Sequence, residues 1–290
     1  MARTALRRLP LHGWLGLALV AVVWPLNWSL TGLRTHLCFF PLWLGYCLAI
    51  DGFNVALRGT SLLRRSPRLY FGLFVISVPL WWIFEAINQR MQNWRYLGVE
   101  AFSDLEYALL ASLSFSTVIP AVLGSAEAVA GARFFRCRSS SAAARPGRCT
   151  ARVYALVGVS MFALMMAWPR LFFPLVWLSL YFAVEAINIR SGYRSLAEYL
   201  LAGNWRPVFA LWLGVLLCGF FWEMWNIDSY PKWVYDVPFF GFWHVFEMPL
   251  LGYLGYLPFS MEIFAFVHLA LGLAGYPRAD FVTRGLIRDP

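Results

Sequence analysis

The chain has 290 residues, of which 60% are hydrophobic and 13% are charged, whereas a soluble domain carries about 25% charged residues. This composition excludes a disordered chain, a collagen-like fibre and a disulfide scaffold, and it provides too little polar surface to coat a water-soluble globule. The net charge of +9 lies in short clusters of Arg between apolar runs, which predicts a membrane protein in contact with lipid and no nucleic-acid partner.

Eight apolar segments have the length of about 20 residues that an α-helix needs to cross roughly 30 Å of hydrocarbon. The sequence therefore predicts an all-α, polytopic membrane helix bundle of about eight transmembrane helices. In chain order, the predicted helices cover residues 11–31, 38–57, 69–90, 105–125, 152–169, 171–189, 206–226 and 246–275. The last segment contains Pro249 and Pro258, so we expect it to start as an interfacial or re-entrant piece before it crosses.

The distribution of basic residues predicts how the bundle is oriented. If the N-terminus is cytoplasmic, 19 of the 24 Lys and Arg residues lie on the cytoplasmic side and five lie outside. Cytoplasmic loops of membrane proteins carry such an excess of basic residues. We therefore predict a multi-pass protein with both termini in the cytoplasm. The preference for Arg over Lys indicates a GC-rich genome and hence a bacterial inner membrane.

Short sequence matches recur in the same order in the two halves of the chain. The tetrapeptide Phe-Phe-Pro-Leu, for example, occurs at residues 39–42 and again at 172–175. Each half contains four predicted spans, an even number, so both halves enter the membrane in the same direction. The sequence therefore predicts two parallel four-helix repeats, residues 1–132 and 152–290, joined by a basic cytoplasmic linker over residues 133–151.

An acidic residue followed by Asn three positions later occurs four times in the predicted spans. Residues at i and i+3 share a helix face, so each pair presents a carboxyl group beside an amide. A charged side chain in hydrocarbon costs at least about 2.5–3.5 kcal/mol, so these groups are expected to face the interior of the bundle. There the neutral acid is favoured, and it can donate a proton. The four pairs are Asp51/Asn54, Glu85/Asn88, Glu185/Asn188 and Glu223/Asn226.

The directions of the spans place these pairs in two layers, one toward the cytoplasm and one toward the outside. The predicted catalytic residues are the two outer pairs and an acid beside the last span: Glu85, Asn88, Glu223, Asn226 and Glu247. The predicted substrate-binding residues are Asp51, Asn54, Glu185, Asn188, His244, Trp94, Tyr96, Trp233 and Tyr235. The last four belong to two Trp-x-Tyr motifs, which are also expected to anchor the protein at the outer headgroup level.

Each of these assignments has a structural alternative. Asn and carboxyl side chains also join membrane helices by hydrogen bonds, and Glu247 is equally suited to cap the last helix. Glu262 and His268 are expected to be interior polar groups with partners. No metal or other cofactor is predicted, because the sequence lacks a His-rich cluster, HExxH, a Walker loop and GxSxG.

Three functions remain open from the sequence. The first is an acid–base enzyme acting on an isoprenoid or other lipid, a hydrophobic small molecule, by cyclisation, double-bond isomerisation or hydration. The second is a proton- or cation-coupled carrier or a lipid-binding protein, and the third is a membrane scaffold without catalysis. An enzyme needs one layer of acids, whereas a carrier needs both. The oligomeric state is left open.

Overall fold

The computed structural model describes residues 9–33, 35–132 and 144–287, and it confirms the all-α membrane architecture. Eight helical segments in these residues are long and apolar enough to cross a membrane. Their bounds are Leu11–Ser29 (α1), Thr35–Arg58 (α2), Pro67–Met91 (α4), Asp104–Ala130 (α5 and α6), Arg148–Ala167 (α7), Pro169–Ser191 (α8 and α9), Arg206–Asn226 (α11) and Leu250–Leu273, which ends in α12.

Three of these spans are interrupted. The fourth consists of α5 (Asp104–Phe115) and α6 (Val118–Ala130), the sixth of α8 (Pro169–Phe172), a 3₁₀ turn and α9 (Val176–Ser191), and the eighth of a 3₁₀ helix at Leu250–Gly255 and α12 (Tyr256–Leu273). The predicted irregular start of the last span is thus present. At the break in the fourth span, the hydroxyls of Ser116 and Thr117 donate to carbonyl groups of the preceding turn, a bond that competes with the helical ladder and bends helices.

Short elements connect the spans. Three are helices, α3 (Leu62–Arg65), α10 (Ala197–Leu201) and α13 (Thr283–Ile287). Four are strands, β1 (Trp94–Leu97), β2 (Lys232–Tyr235), β3 (His244–Val245) and β4 (Met248–Pro249). Strand β1 pairs antiparallel with β2, with Trp94 opposite Tyr235 and Tyr96 opposite Trp233. Strand β3 pairs with β4 in a small hairpin.

Small residues allow the first two spans of each half to pack closely. A Cβ added at Gly16 of α1 would meet the backbone of α2 at Ala49, and one added at Gly158 of α7 would meet the backbone of α9 at Ala183. Helices in lipid associate through such small residues because their backbones can then approach each other. Most of the other side chains of α1 and α7 are exposed or half-buried, so these two helices form the lipid-facing periphery around the remaining six spans.

Successive spans alternate in direction, so their termini gather at two opposite ends of the bundle. The ribbon end carries β1 and β2. The arginine end carries Arg58, Arg65, Arg194 and Arg278, which donate to carbonyl groups or carboxylates there. Of the predicted linker, residues 133–143 lie outside the described residues, and helix α7 begins at Arg148, within the range predicted as linker.

Candidate functional site

A cavity of about 180 Å³ lies at the ribbon end, between the two halves of the chain. Its lining is rich in Phe, Trp and Tyr, and the lining residues come from β1, β2, the adjoining turns and six of the spans. Gly252 and Gly255 of the 3₁₀ helix Leu250–Gly255 form part of the wall, where the lack of a side chain lets Met248 and Trp177 pack against them. The lining residues that matter most for the site are Trp81, Trp94, Tyr96, Trp177, Tyr235 and Tyr256.

Glu85 is buried near the end of α4, beside this lining. Its Oε1 atom accepts hydrogen bonds from the Tyr96 hydroxyl at 2.6 Å, the Trp81 indole at 2.9 Å and the Trp94 indole at 3.1 Å. Three donors converging on one carboxylate oxygen stabilise its anionic form. All three donors also line the cavity, so Glu85 is one side chain away from whatever the cavity holds.

Glu223 takes the equivalent place near the end of α11, and it is fully buried. Its Oε1 atom accepts from the Tyr235 hydroxyl at 2.7 Å and from the Tyr256 hydroxyl at 2.5 Å. Its Oε2 atom has no hydrogen-bond partner among the described residues. Both glutamates are therefore held through Oε1, by three of these hydrogen bonds on Glu85 and by two on Glu223.

Asn88 and Asn226 hold the strands that follow their helices. The Asn88 amide donates to the carbonyl of Trp94 at 2.8 Å and accepts from the backbone of Asn93 at 2.9 Å. The Asn226 amide donates to the carbonyl of Trp233 at 2.8 Å and accepts from its N–H at 3.0 Å. These amides are thus occupied by backbone groups, and they act on the site by fixing β1 and β2.

The two Trp-x-Tyr motifs face the cavity as well as joining the strands. Side chains alternate along a strand, so Trp94 and Tyr96 point to one face of β1 while Arg95 is exposed on the other. Burial, and then the nearby carboxyl of Glu85, raise the pKa of the Tyr96 phenol. Burial and the carboxyl of Glu223 likewise raise the pKa of the Tyr235 phenol. Both tyrosines are turned inward, toward the buried glutamates.

The acids nearer the arginine end bind backbone groups. Asp51 accepts from the N–H of Leu63 at 3.0 Å and lies 3.0 Å from the ring of His12. Glu185 accepts from two consecutive N–H groups, those of Leu196 and Ala197, at 3.1 and 3.2 Å. Each acid therefore holds the first turn of a short helix, α3 or α10, whose leading N–H groups have no partner within the helix.

The two asparagines of this end join spans to each other. The Asn54 amide donates to the carbonyl of Gly124 at 2.9 Å and so ties α2 to α6. The Asn188 amide donates to the carbonyl of Ala265 at 2.9 Å and ties α9 to α12. The predicted substrate-binding residues Asp51, Asn54, Glu185 and Asn188 are not among the residues that line the cavity.

The remaining candidates take separate places. Glu247 lies in the turn between β3 and β4 and forms an ion pair with Lys232, the only lysine of the chain. Lys232 lines the cavity. His244 is exposed on β3, away from the lining. In the middle of α12, Glu262 is fully buried, and among the residues that the structure describes neither of its carboxyl oxygens has a hydrogen-bond partner, contrary to the expectation of a paired interior group.

Two of the side chains that donate hydrogen bonds to the glutamates, Tyr256 and Trp81, are not among the residues predicted from the sequence. Tyr256 lies 33 residues after Glu223 and has no counterpart in the acid-x-x-Asn pattern. Trp81 is four residues before Glu85, one helical turn away, so the i, i+4 spacing was a signal that could have identified it.

No protein-family model, curated protein or solved structure matches the chain. Within the part of the chain that the structure describes, no group of three or more His, Cys, Asp or Glu side chains is placed to hold a metal ion. The chemistry available in the cavity wall is that of phenol and indole groups backed by two carboxyl groups, together with the side chains of Thr35, His36, Ser114 and Lys232.

Proposed function

We propose that the chain is a multi-pass membrane enzyme that binds an isoprenoid or another lipid in the ribbon-end cavity and moves protons to and from it. One observation carries the proposal. Tyrosine hydroxyls that line the cavity, Tyr96 on β1 and Tyr235 on β2, each donate to a buried glutamate behind the wall. A phenol backed by a carboxyl group is a proton donor and acceptor when the two are held in contact.

The difference between the two glutamates suggests a division of roles. Glu223 in its protonated form acts as the acid: the proton on its Oε1 atom passes to Tyr235 or Tyr256 as that hydroxyl gives its own proton to a double bond of the ligand. Glu85, stabilised as an anion by three donors, accepts a proton from the ligand through Tyr96. One proton enters and one leaves, so the ligand is cyclised or its double bond shifts while its formula stays the same.

The aromatic wall suits this chemistry. Protonation of a double bond creates a carbocation, and the negative faces of Trp and Tyr rings stabilise cations within about 6 Å. Trp94 and Trp177 stack with their ring centroids 6.4 Å apart, and both line the cavity. An apolar, aromatic cavity also excludes water, which would otherwise capture such an intermediate.

We extend the proposal to topology. The described arginines concentrate at the arginine end, which supports a cytoplasmic location for that end and an outward location for the cavity, in a bacterial inner membrane. Matching contacts in the two halves support duplication of a four-helix unit over residues 1–132 and 152–290. Asn54 and Asn188 each bind a carbonyl of the fourth span of their own half, and Asn88 and Asn226 each bind the strand after their helix.

A proton-coupled carrier is the second candidate. The observation that favours it is Glu262, a carboxyl group without a partner inside the bundle. Against it, the acids of the arginine end are held by backbone N–H groups, an arrangement that suits a structural role better than a proton relay. The geometry therefore favours the enzyme over the carrier, and over a scaffold without catalysis.

The test compares one acid from each end. Membranes carrying wild-type protein, Glu223→Gln or Glu185→Gln are profiled for lipids by mass spectrometry, and the purified proteins are assayed for proton flux in vesicles. Loss of a general acid reduces a rate about 10²- to 10⁴-fold, so we expect Glu223→Gln to lose the product lipid and folded Glu185→Gln to keep it. Identical lipids in all three samples contradict the enzyme, and proton flux that requires both acids supports the carrier.

A further inference from the structure

An aromatic loop lies between β2 and the last span, at the ribbon end. We use this name for residues 237–246. Four of its Phe and Trp side chains are exposed, and the most exposed are Trp243 at 76% and Phe239 at 65% of their surface. The other two are Phe240 and Phe242. His244 is the only residue of the loop with a titratable side chain. Such a segment is too apolar to face water.

The loop is continuous with the lipid-facing surface of the spans. The ring of Phe246 contacts that of Phe220 at 5.5 Å, and Phe220 faces outward from α11 with 45% of its surface exposed. The ring of Phe240 contacts that of Phe173 in the sixth span at 6.3 Å. Beyond the loop, the 3₁₀ helix Leu250–Gly255 exposes three more apolar side chains, Leu250, Leu251 and Leu254.

The inward side of the same region is the wall of the cavity. Met248, Gly252, Gly255 and Tyr256 line the cavity, and they alternate along the chain with the exposed leucines. The wall between the cavity and the surroundings is therefore a single layer of chain at this place. Its two glycines pack against the side chains of Met248 and Trp177, which also line the cavity.

We infer that the aromatic loop is immersed in the leaflet of the membrane at the ribbon end, and that a lipid reaches the cavity sideways through the wall beneath it. The partner of this surface is the bilayer itself, because aromatic side chains concentrate where hydrocarbon meets headgroups and the loop continues the surface that the spans present to lipid. Sideways access rests on one part of the proposed function, which is that the ligand is a lipid dissolved in the membrane.

The Lys232–Glu247 ion pair holds this region together. Lys232 on β2 binds Glu247 in the β3–β4 turn, and it also donates to the carbonyl of Ile227 at 3.0 Å. The β3–β4 hairpin, whose first strand lies at the end of the loop, is thereby fixed to the ribbon, while the Phe and Trp side chains before it are exposed. The two charges of this pair compensate each other beside the apolar surface, and Asp236 is exposed just before the loop.

The first arm of the test measures depth. A spin label is attached at Trp243→Cys or, as control, at the exposed Asp236→Cys just before the loop, in protein whose Cys137 and Cys149 are replaced by Ser. After reconstitution in phosphatidylcholine vesicles, we expect the label at 243 to be more accessible to oxygen than to a water-soluble nickel chelate, and the label at 236 to show the reverse. Equal access of the chelate to both labels overturns the proposal. Strong spin–spin broadening at 243 instead assigns the surface to a second copy, which also overturns it.

The second arm measures access. Vesicles contain phosphatidylcholine with a diazirine in one acyl chain, and cross-links are mapped by mass spectrometry. We expect wild-type protein to be labelled at Met248 and Tyr256. In the variant Phe242→Asp/Trp243→Asp this labelling should fall at least about fivefold. Equal labelling of the lipid-facing helix α7 in both proteins shows that the variant is folded and inserted. Unchanged cavity labelling overturns sideways access, whatever the outcome of the Glu223→Gln experiment. If Glu223→Gln loses the product lipid but the Phe242→Asp/Trp243→Asp variant keeps its cavity labelling, the proposed enzyme function stands and only sideways access is contradicted.

Discussion

The two ends of the bundle use the same acid-x-x-Asn pattern in different ways. At the ribbon end, Glu85 and Glu223 accept from tyrosine and tryptophan side chains that line a cavity. At the arginine end, Asp51 and Glu185 accept from backbone N–H groups of short helices. The comparison teaches that a carboxyl group in a membrane span acquires its role from the element that follows the span.

The following element differs because the chain turns differently at each end. After α4 and α11 the chain forms strands β1 and β2. The backbone groups of these strands pair with each other, so their side chains are available to bind the carboxyl groups. After α2 and α9 it forms short helices, whose first N–H groups need an acceptor. A carboxylate that satisfies such groups holds the helix start, whereas one that binds a phenol at a cavity wall is the kind to which the proposed function assigns proton exchange.

The largest effect expected at the arginine end is loss of the Arg65–Glu127 ion pair. The Nη1 and Nη2 atoms of Arg65 each donate to one carboxylate oxygen of Glu127 at 2.7 Å, and both side chains are buried. Removing one partner of such a pair leaves an uncompensated charge and costs about 3–5 kcal/mol. We therefore expect Arg65→Ala to lower the free energy of unfolding in detergent by that amount. The exposed Arg64→Ala is the control and should change it by less than about 0.5 kcal/mol. Equal stability of the two variants would contradict a packed, dry arginine end.

A smaller effect separates the asparagines of the two ends. Asn226→Ala leaves both the N–H and the carbonyl of Trp233 without their partner, and each unsatisfied group costs about 1–3 kcal/mol. Asn188→Ala removes one bond between spans, for which membrane proteins show about 0.6 kcal/mol on average. Unfolding of the two variants in parallel should rank Asn226→Ala as the more destabilised. The reverse order would mean that the strands do not depend on their asparagines.

The smallest effect concerns alkaline pH and the ribbon end. The pKa of the Tyr235 phenol is raised in the folded protein above the ordinary value of about 10. Above that pH the unfolded chain releases a proton that the folded chain retains, so stability is complete below about pH 10 and falls as the pH rises, by up to about 1.4 kcal/mol per pH unit for one phenol. We expect Tyr235→Phe to flatten the slope of unfolding free energy between pH 10 and 11, and Val234→Ala on the same strand to leave it unchanged. An unaltered slope in Tyr235→Phe would show that this phenol is open to water.

Much of the architecture could be predicted from local sequence. Spans are set by hydrophobic length, which each segment carries by itself, and all eight appear within a few residues of their predicted bounds. The acids and asparagines were identified because i, i+3 spacing is a property of one helix. Even the irregular start of the last span follows from local proline positions. These features need no information about neighbours.

The division of the four pairs into structural and candidate catalytic ones was decided by tertiary structure. Nothing near Glu223 in the sequence identifies Tyr256, which reaches it from another span, and nothing in the Trp-x-Tyr motifs shows that β1 and β2 pair across the two halves. Hydrogen bonding between side chains depends on distances of about 3 Å, and only the packing of the helices sets those distances. The chain by itself specified which groups enter the membrane, and the fold specified which of them meet a cavity.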